Sequence, residues 1–230
     1  MSSSENNAPD AAPEAAEQTP APRVRIEHLS TSGTFSLDGR TFDVENNVWL
    51  VGDDEEVLVV DAPHDVDAIV EAVGGRRVVG VVATHAHDDH VRFAPELAER
   101  LDAPLWLHPE DRELWEMTHG SDVPTQDLVD RQVLAVAGSE LHVLHTPGHS
   151  PGSVCLYSPE LETVFTGDTL FAGGPGATGR SFSDFPTIIV SIRTRLLTLP
   201  TGTRVKPGHG GSTTIDAEAP HLQEWIARGH

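Results

Sequence analysis

The residues best suited to chemistry lie in one short stretch, residues 84–90, which reads THAHDDH and follows an apolar run. Imidazole and carboxylate groups together suit zinc, iron or manganese. His85 and His87 are two residues apart, so at the end of an extended strand both would point the same way and could hold one ion. Asp89 and His90 follow, and they could face a second ion. The stretch therefore predicts metal binding.

Three further segments also follow strand-like stretches, and in each of them a polar side chain lies beside a glycine. They read HTPGH at 145–149, TGD at 166–168 and PGHG at 207–210. Loops held on a rigid sheet often carry catalytic side chains, and glycine lets a backbone turn sharply or approach a ligand closely. We therefore expect His149, Asp168 and His209 to reach the same sheet edge as the first stretch.

The elements that must position these groups are short strands and amphipathic helices. Apolar runs predict strands at 48–51, 57–60, 78–83, 105–107, 141–144, 154–157 and 163–165. Helical spacing of apolar residues predicts helices at 66–73, 91–101, 186–199 and 217–227. Strand-rich stretches occur in two halves, each followed by helices. This order predicts an α/β protein with two packed sheets and helices outside them.

The four segments THAHDDH, HTPGHSPGS, FTGDTLF and PGHG, in that order, resemble the metallo-β-lactamase-fold hydrolases and, within them, the glyoxalase II-like branch. The resemblance covers nearly everything after residue 22. It implies one hydrolase domain over residues 23–230, folded as a four-layer αβ/βα sandwich with its site at one sheet edge. It also implies seven metal ligands: His85, His87 and His149 for a first metal, Asp89, His90 and His209 for a second, and Asp168 as the bridge.

That ligand set implies two divalent metal ions, zinc first, with iron or manganese as alternatives. Two such ions would lower the pKa of a bridging water from near 16 toward about 7, which makes hydroxide available as a nucleophile at neutral pH. A metal could also hold the oxyanion of a tetrahedral intermediate. Asp89 and Asp168 are therefore the candidate catalytic carboxylates. Asp61 ends an earlier strand, where it could orient a ligand histidine or simply start a turn.

The resemblance implies cleavage of a thioester of a low-molecular-weight thiol, but glutathione is in doubt because the Lys and Tyr that hold it in glyoxalase II are not evident here. The segment FAGGPGATGRSFSDFPTI resembles short actinobacterial hydrolases associated with mycothiol, which suggests an S-acyl or S-formyl mycothiol. Arg180 and Lys206 could bind an anionic substrate group, or form structural ion pairs.

Three alternatives remain open at this point. The first is a mononuclear iron persulfide dioxygenase that uses His85, His87 or His149, and Asp168. The second is a hydrolase of another ester, a lactone or a β-lactam, because the same ligand set serves several reactions. The third is a noncatalytic metal-binding domain.

Net charge and composition limit the kinds of molecule that the protein is expected to bind. A net charge of -21 and a pI near 4.8 disfavour nucleic acid and anionic membranes, and no run is long enough to span a bilayer. The single cysteine, Cys155, cannot form an internal disulfide, so we expect a cytoplasmic protein. The expected partner is a small-molecule substrate. Residues 1–22 are rich in Ala, Pro and acidic residues, which predicts a disordered tail. The sequence does not indicate an oligomeric state.

Overall fold

Two six-stranded β-sheets form the centre of the protein, in a computed structural model that describes residues 24–229. The first sheet has the order β1-β2-β3-β4-β5-β6. Its strands are β1 (Arg25–Leu37), β2 (Arg40–Gly52), β3 (Glu56–Val60), β4 (Arg77–Val82), β5 (Leu105–Leu107) and β6 (Gln126–Asp127). Its helices are α1 (Val66–Val73), α2 (Asp88–Val91), α3 (Ala94–Arg100), a 3₁₀ turn (Pro109–Asp111) and α4 (Arg112–His119). The predicted disordered tail lies outside the described residues.

The second sheet has the order β14-β13-β10-β9-β8-β7, and a separate hairpin pairs β11 with β12. The strands are β7 (Val133–Val136), β8 (Ser139–His145), β9 (Val154–Ser158), β10 (Thr163–Gly167), β11 (Leu170–Phe171), β12 (Gly174–Pro175), β13 (Arg204–Pro207) and β14 (Thr213–Thr214). The helical segments are α5 (Phe185–Ser191), a π-helical turn (Ile192–Leu196), α6 (Ile215–Glu218), a 3₁₀ turn (Ala219–His221) and α7 (Leu222–Arg228).

The layers follow from the alternation of side chains along the strands. In β3, Leu58 and Val60 join an apolar cluster that also contains Phe165 and Leu156 of the second sheet, so the two sheets pack face to face. Val57 and Val59 face the opposite way, into a cluster with residues of α1, α3 and α4. The outer face of the second sheet packs against α5 and α7. The predicted four-layer sandwich is therefore confirmed.

All seven predicted strands are present, but the helices are more broken than their apolar spacing indicates. The predicted helix at 91–101 is α3, preceded by the separate single turn α2. The predicted helix at 186–199 continues from α5 into a π-helical turn, and the one at 217–227 is divided among α6, a 3₁₀ turn and α7. Apolar spacing reports the buried face and is insensitive to these local changes of winding.

The long hairpin of β1 and β2 was not predicted over most of its length, because its side chains are mostly polar and partly exposed. Its two-residue turn, Asp38-Gly39, has φ values of 53° and 71°, and Leu37 pairs with Arg40. An Asp-Gly pair is a strong hairpin signal, since both positions must adopt positive φ. That signal could have revealed the hairpin. No helix in the described part of the chain is long and apolar enough to cross a membrane.

Candidate metal centre

The four polar segments meet where strands of both sheets end. β4 leads into residues 83–87 and then α2, β8 leads into the loop that carries His149, β10 ends directly before Asp168, and β13 ends two residues before His209. Backbone hydrogen bonds join the segments: the amide of Val154 donates to the carbonyl of Thr84 over 2.8 Å. Neighbouring strands therefore bring together groups that are far apart in sequence.

The first proposed ligand set is a tight cluster of three ring nitrogens. His87 Nδ1 lies 3.0 Å from His85 Nε2 and 3.0 Å from His149 Nε2. Three nitrogens bound tetrahedrally to zinc at 2.0–2.1 Å would lie about 3.3 Å apart. All three side chains are buried. Their spacing therefore fits a single transition-metal ion.

The second proposed set lies beside the first. His209 Nε2 is 3.2 Å from His90 Nε2 and 3.3 Å from Asp89 Oδ2, and the last two atoms are 3.7 Å apart. The rings of His85 and His90 are in contact, with centroids 4.1 Å apart. Two groups of metal-binding side chains therefore occupy adjoining positions at the sheet edge.

Asp168 lies between these two groups. Its Oδ2 atom is 3.5 Å from His149 Nε2 and 3.5 Å from His209 Nε2, while Oδ1 is 3.4 Å from His90 Nε2. Among the residues that the structure describes, the buried Oδ1 atom makes no hydrogen bond. A buried carboxylate oxygen without a donor is costly unless a cation is bound there. The donor set and this oxygen therefore fit divalent cations.

The site's electrostatics keep its carboxylates ionised. Burial by itself would raise the pKa of Asp168, but His90 and His209 hold that pKa well below its ordinary value. Burial also opposes ionisation of Asp89, yet His90, with hydrogen bonds from His209 and Asn46, lowers its pKa to about 2. These carboxylates therefore carry full negative charge at neutral pH, which favours cations.

His85 and His87 of the first set differ in charge from His209 of the second. Burial, with repulsion from His149, lowers the pKa of His87 to about 3, and burial also holds that of His85 well below its ordinary value. For His209, burial would lower the pKa, but Asp168 and Asp89 raise it to about 10. His85 and His87 consequently present neutral imidazoles, the form that binds metals.

Hydrogen bonds on the far side of the rings fix their tautomers. His149 Nδ1 lies 2.9 Å from the carbonyl oxygen of Ala177, and His209 Nδ1 lies 2.7 Å from that of Glu45. A carbonyl oxygen only accepts, so Nδ1 donates a proton in each case and Nε2 is the nitrogen that faces the cluster. His90 Nδ1 lies 2.9 Å from Asp61 Oδ2, the orienting contact considered for Asp61 from the sequence.

Two supporting residues were missed from the sequence. Asn46 is fully buried, and its Nδ2 atom lies 3.1 Å from Asp89 Oδ2 and 3.3 Å from His90 Nε2. Asp111 is also fully buried and accepts hydrogen bonds from both segments that carry the first ligand set. Asn46 lies two residues before the apolar strand run at 48–51. A polar residue at that position is the one feature of the sequence that indicates a buried role. No sequence feature near Asp111 indicates its role.

A cavity of about 240 Å³ opens above the centre. Five proposed ligands line its floor, and Phe35, Phe42 and Val44 of the hairpin line one side. Arg180 also lines it, with the guanidinium carbon 4.8 Å from the ring centroid of Phe42 and 5.3 Å from that of Phe35. Ser181 ties this loop to the hairpin by donating from Oγ to Asp38 over 2.8 Å.

The structure does not bring Lys206 to this cavity. Strand alternation turns Val205 toward the outer helices and Lys206 toward the other sheet, where its Nζ atom lies 4.2 Å from the ring centroid of Trp49. Asp88 also lies outside the cavity lining: it accepts a hydrogen bond from the amide of Ser36 over 3.0 Å and pairs with Arg92. Asp88 thus connects α2 to the hairpin.

Known proteins resemble this chain over about three quarters of its length. Residues 42–217 match the Metallo-beta-lactamase superfamily. The probable metallo-hydrolase YqgX of Bacillus subtilis is 32% identical over 191 residues, which is 76% of this chain and 90% of that protein. Hydroxyacylglutathione hydrolase GloC of Haemophilus influenzae is 32% identical over 190 residues, again 76% of this chain and 90% of the relative.

Among solved structures, TTHA1623 in a di-iron-bound form has a TM-score of 0.69 and 35% identity, and the match covers 76% of this chain and 93% of that one. The clustered histidines and aspartates, together with these relatives, indicate a protein that binds divalent metal. The chain belongs to the Metallo-beta-lactamase superfamily.

Proposed function

We propose that this metallo-hydrolase is a dinuclear enzyme that cleaves a thioester of a low-molecular-weight thiol. The observation that carries the two-ion proposal is the position of Asp168, whose oxygens lie within 3.5 Å of histidines from both ligand sets. The di-iron form of a 35% identical protein supports it. The thioester is supported by the relative named as a hydroxyacylglutathione hydrolase.

In this proposal the ligands divide as the resemblance implies. His85, His87 and His149 would hold one ion, Asp89, His90 and His209 would hold the other, and Asp168 would be available to both. Divalent ions bound there would supply a Lewis acid for a carbonyl oxygen and a water of lowered pKa, with zinc the first expectation and iron or manganese alternatives. The ionised carboxylates of Asp89 and Asp168 contribute negative charge that offsets the charge of the ions.

The cavity's remaining walls suit the rest of such a substrate. At about 240 Å³, the cavity can take an acyl group and its sulfur but not a whole thiol carrier, since drug-sized ligands need about 300–1,000 Å³. The side chains of Phe35, Phe42 and Val44 provide an apolar wall that excludes water. A second cavity, lined by Asp38, Arg40 and Arg180, adjoins the first through Arg180 and offers room for the carrier.

Arg180 is the proposed anchor for an anionic group on the carrier. Among the described residues, no carboxylate lies within 4.0 Å of its guanidinium, which packs instead on two aromatic rings. An unpaired guanidinium beside a cavity is well suited to a carboxylate. Arg180→Ala should therefore raise KM for an anionic thioester about tenfold or more while leaving KM for an uncharged thioester nearly unchanged. Equal effects on both substrates would contradict this role.

The central experiment is metal quantification on freshly purified protein, followed by a panel of acyl thiols that includes S-acyl and S-formyl mycothiol and acyl glutathione. We expect about two Zn, Fe or Mn ions per chain and release of free thiol. One iron with oxygen uptake on a persulfide would instead identify the dioxygenase alternative. A folded protein that binds no metal would overturn the enzyme proposal.

Asp168→Ala tests the bridging assignment directly. This variant should lose thioester hydrolysis, because it removes the only carboxylate of the described chain that lies against both ligand sets. Its circular dichroism spectrum and unfolding curve should show an intact fold. Full activity in this variant would contradict the assignment.

A further inference from the structure

Asp111 is a buried carboxylate outside both ligand sets that touches the two segments carrying the first set. Its Oδ2 atom accepts a hydrogen bond from the amide of Ala86, between His85 and His87, over 2.8 Å. The same oxygen accepts from Ser150 Oγ, directly after His149, over 2.7 Å. Its Oδ1 atom accepts from the amide of Gly152 over 2.5 Å. Three donors from two segments thus converge on one side chain.

The loop after His149 packs closely against Asp111 at Gly152. A Cβ atom added to Gly152 would lie 2.6 Å from the backbone nitrogen of Asp111 and 2.8 Å from its Cγ. Asp111 itself is fully buried, at the end of the 3₁₀ turn Pro109–Asp111. A glycine at 152 is therefore what allows the loop after His149 to approach Asp111 so closely.

The second ligand set is held by other groups. Asn46 lies against Asp89 and His90, and the amide of Asn47 donates to the carbonyl of Gly208 over 2.7 Å, next to His209. None of the hydrogen bonds that Asp111 makes within the described residues reaches this set. Asp111 therefore supports the first set alone, whereas Asp61 contacts both sets, since it accepts hydrogen bonds from Thr84, next to His85, and lies beside His90.

We propose that Asp111 is a positioning residue that sets the spacing between the His85–His87 segment and the His149 loop, and thereby controls the affinity of the first metal ion but not of the second. The inference rests on the proposed dinuclear site. Groups that orient metal ligands typically change metal affinity by about 10–100-fold when they are altered.

Asp111→Asn is the informative change because it preserves shape while removing one acceptor. An amide has one oxygen, so its NH₂ group must face the amide of either Ala86 or Gly152, and that backbone donor then loses its partner. One of the two segments must move away. The matched control is Glu218→Gln, since Glu218 is also a buried carboxylate that accepts hydrogen bonds, here from Gly173 and Thr213, but contacts neither ligand set.

The experiment measures zinc dissociation constants by chelator competition in two backgrounds, each with one ligand set disabled. In the His209→Ala background, where the first set remains, Asp111→Asn should raise the zinc Kd by about 10–100-fold. In the His149→Ala background, where the second set remains, the Kd should change less than about threefold. Glu218→Gln should leave both constants unchanged. A purely structural role would shift both constants alike, and that result would overturn the proposal.

A second variant and the metal stoichiometry of the unaltered chain separate the Asp111 inference from the dinuclear proposal. If Asp111→Asn does not fold in excess chelator, Ser150→Ala removes one of the three hydrogen bonds and should raise the same Kd several-fold in the same background. If the unaltered chain binds one ion rather than two, the dinuclear proposal fails. The Asp111 inference is then tested by whether Asp111→Asn raises the zinc Kd in the His209→Ala background; an unchanged Kd would overturn it.

Discussion

Gly208 is the position at which a single methyl group should disturb the metal centre most. A Cβ atom at this residue would lie 2.5 Å from Asp168 Oδ1 and 2.5 Å from Cε1 of His90. Ordinary van der Waals contact begins near 3.4 Å, so each of these two groups must move about 0.9 Å farther from the added methyl group. The backbone of Gly208 cannot yield easily, because its amide donates to Gly167 and its carbonyl accepts from Asn47.

The methyl group would displace Asp168 and His90, two of the proposed metal ligands. Gly208→Ala should therefore lower the catalytic rate. A misplacement of about 1 Å can reduce the rate about 100-fold, which corresponds to about 2.7 kcal/mol in activation free energy. We expect kcat for the proposed thioester hydrolysis to fall by roughly that factor. The assay is steady-state release of free thiol by zinc-loaded protein, with metal content measured on the same samples.

Gly211→Ala is the matched control for Gly208→Ala. It makes the same chemical change in the same loop, but nothing lies within 4 Å of the added Cβ atom. The control should retain activity within about twofold. If Gly208→Ala kept full activity and full metal content, the placement of Asp168 and His90 around this backbone would be wrong.

Three other predictions concern the surroundings of the centre. Asp61→Asn should weaken zinc binding at the proposed second metal site about 10–100-fold in chelator competition, because Asp61 contacts His90; an unchanged constant would contradict that role. Cys155 should resist alkylation at pH 8 in the native protein and react on denaturation, since burial raises its pKa to about 11. Leu58→Ala should lower the free energy of unfolding by about 2–5 kcal/mol in a denaturant titration without changing metal content, because Leu58 packs between the sheets away from the ligands.

The local features of the fold were readable from the sequence because they depend on short-range physics. Buried strands such as Glu56–Val60 are nearly continuous apolar runs, and they form where β-branched residues predict them. Strand ends beside glycine were also correctly read as places where polar side chains collect. Most of the β1–β2 hairpin has no predicted strand, because outside residues 48–51 its side chains are largely polar, although its Asp-Gly turn is a visible signal.

Other features depend on register and layer packing, which no local pattern encodes. His87 and His149 are 62 residues apart, and only the pairing of the strands brings their nitrogens to 3.0 Å. Arg180 and Lys206 looked equivalent in sequence, yet strand alternation stacks Lys206 on Trp49 while the loop tied to the hairpin brings Arg180 to the cavity. The positions of such charged side chains emerge only in three dimensions.

The sequence by itself determined the chemical character of the centre, because histidine, aspartate and glycine at strand ends predict metal binding whatever their partners are. Only the tertiary structure decided which buried groups support each ligand set. Asn46 comes from one strand, and Asp111 comes from a turn after another, and each is aligned by hydrogen bonds to segments distant in sequence. The physical reason is that a buried polar group must find its partners across packed layers, and those partners are defined only once the layers have assembled.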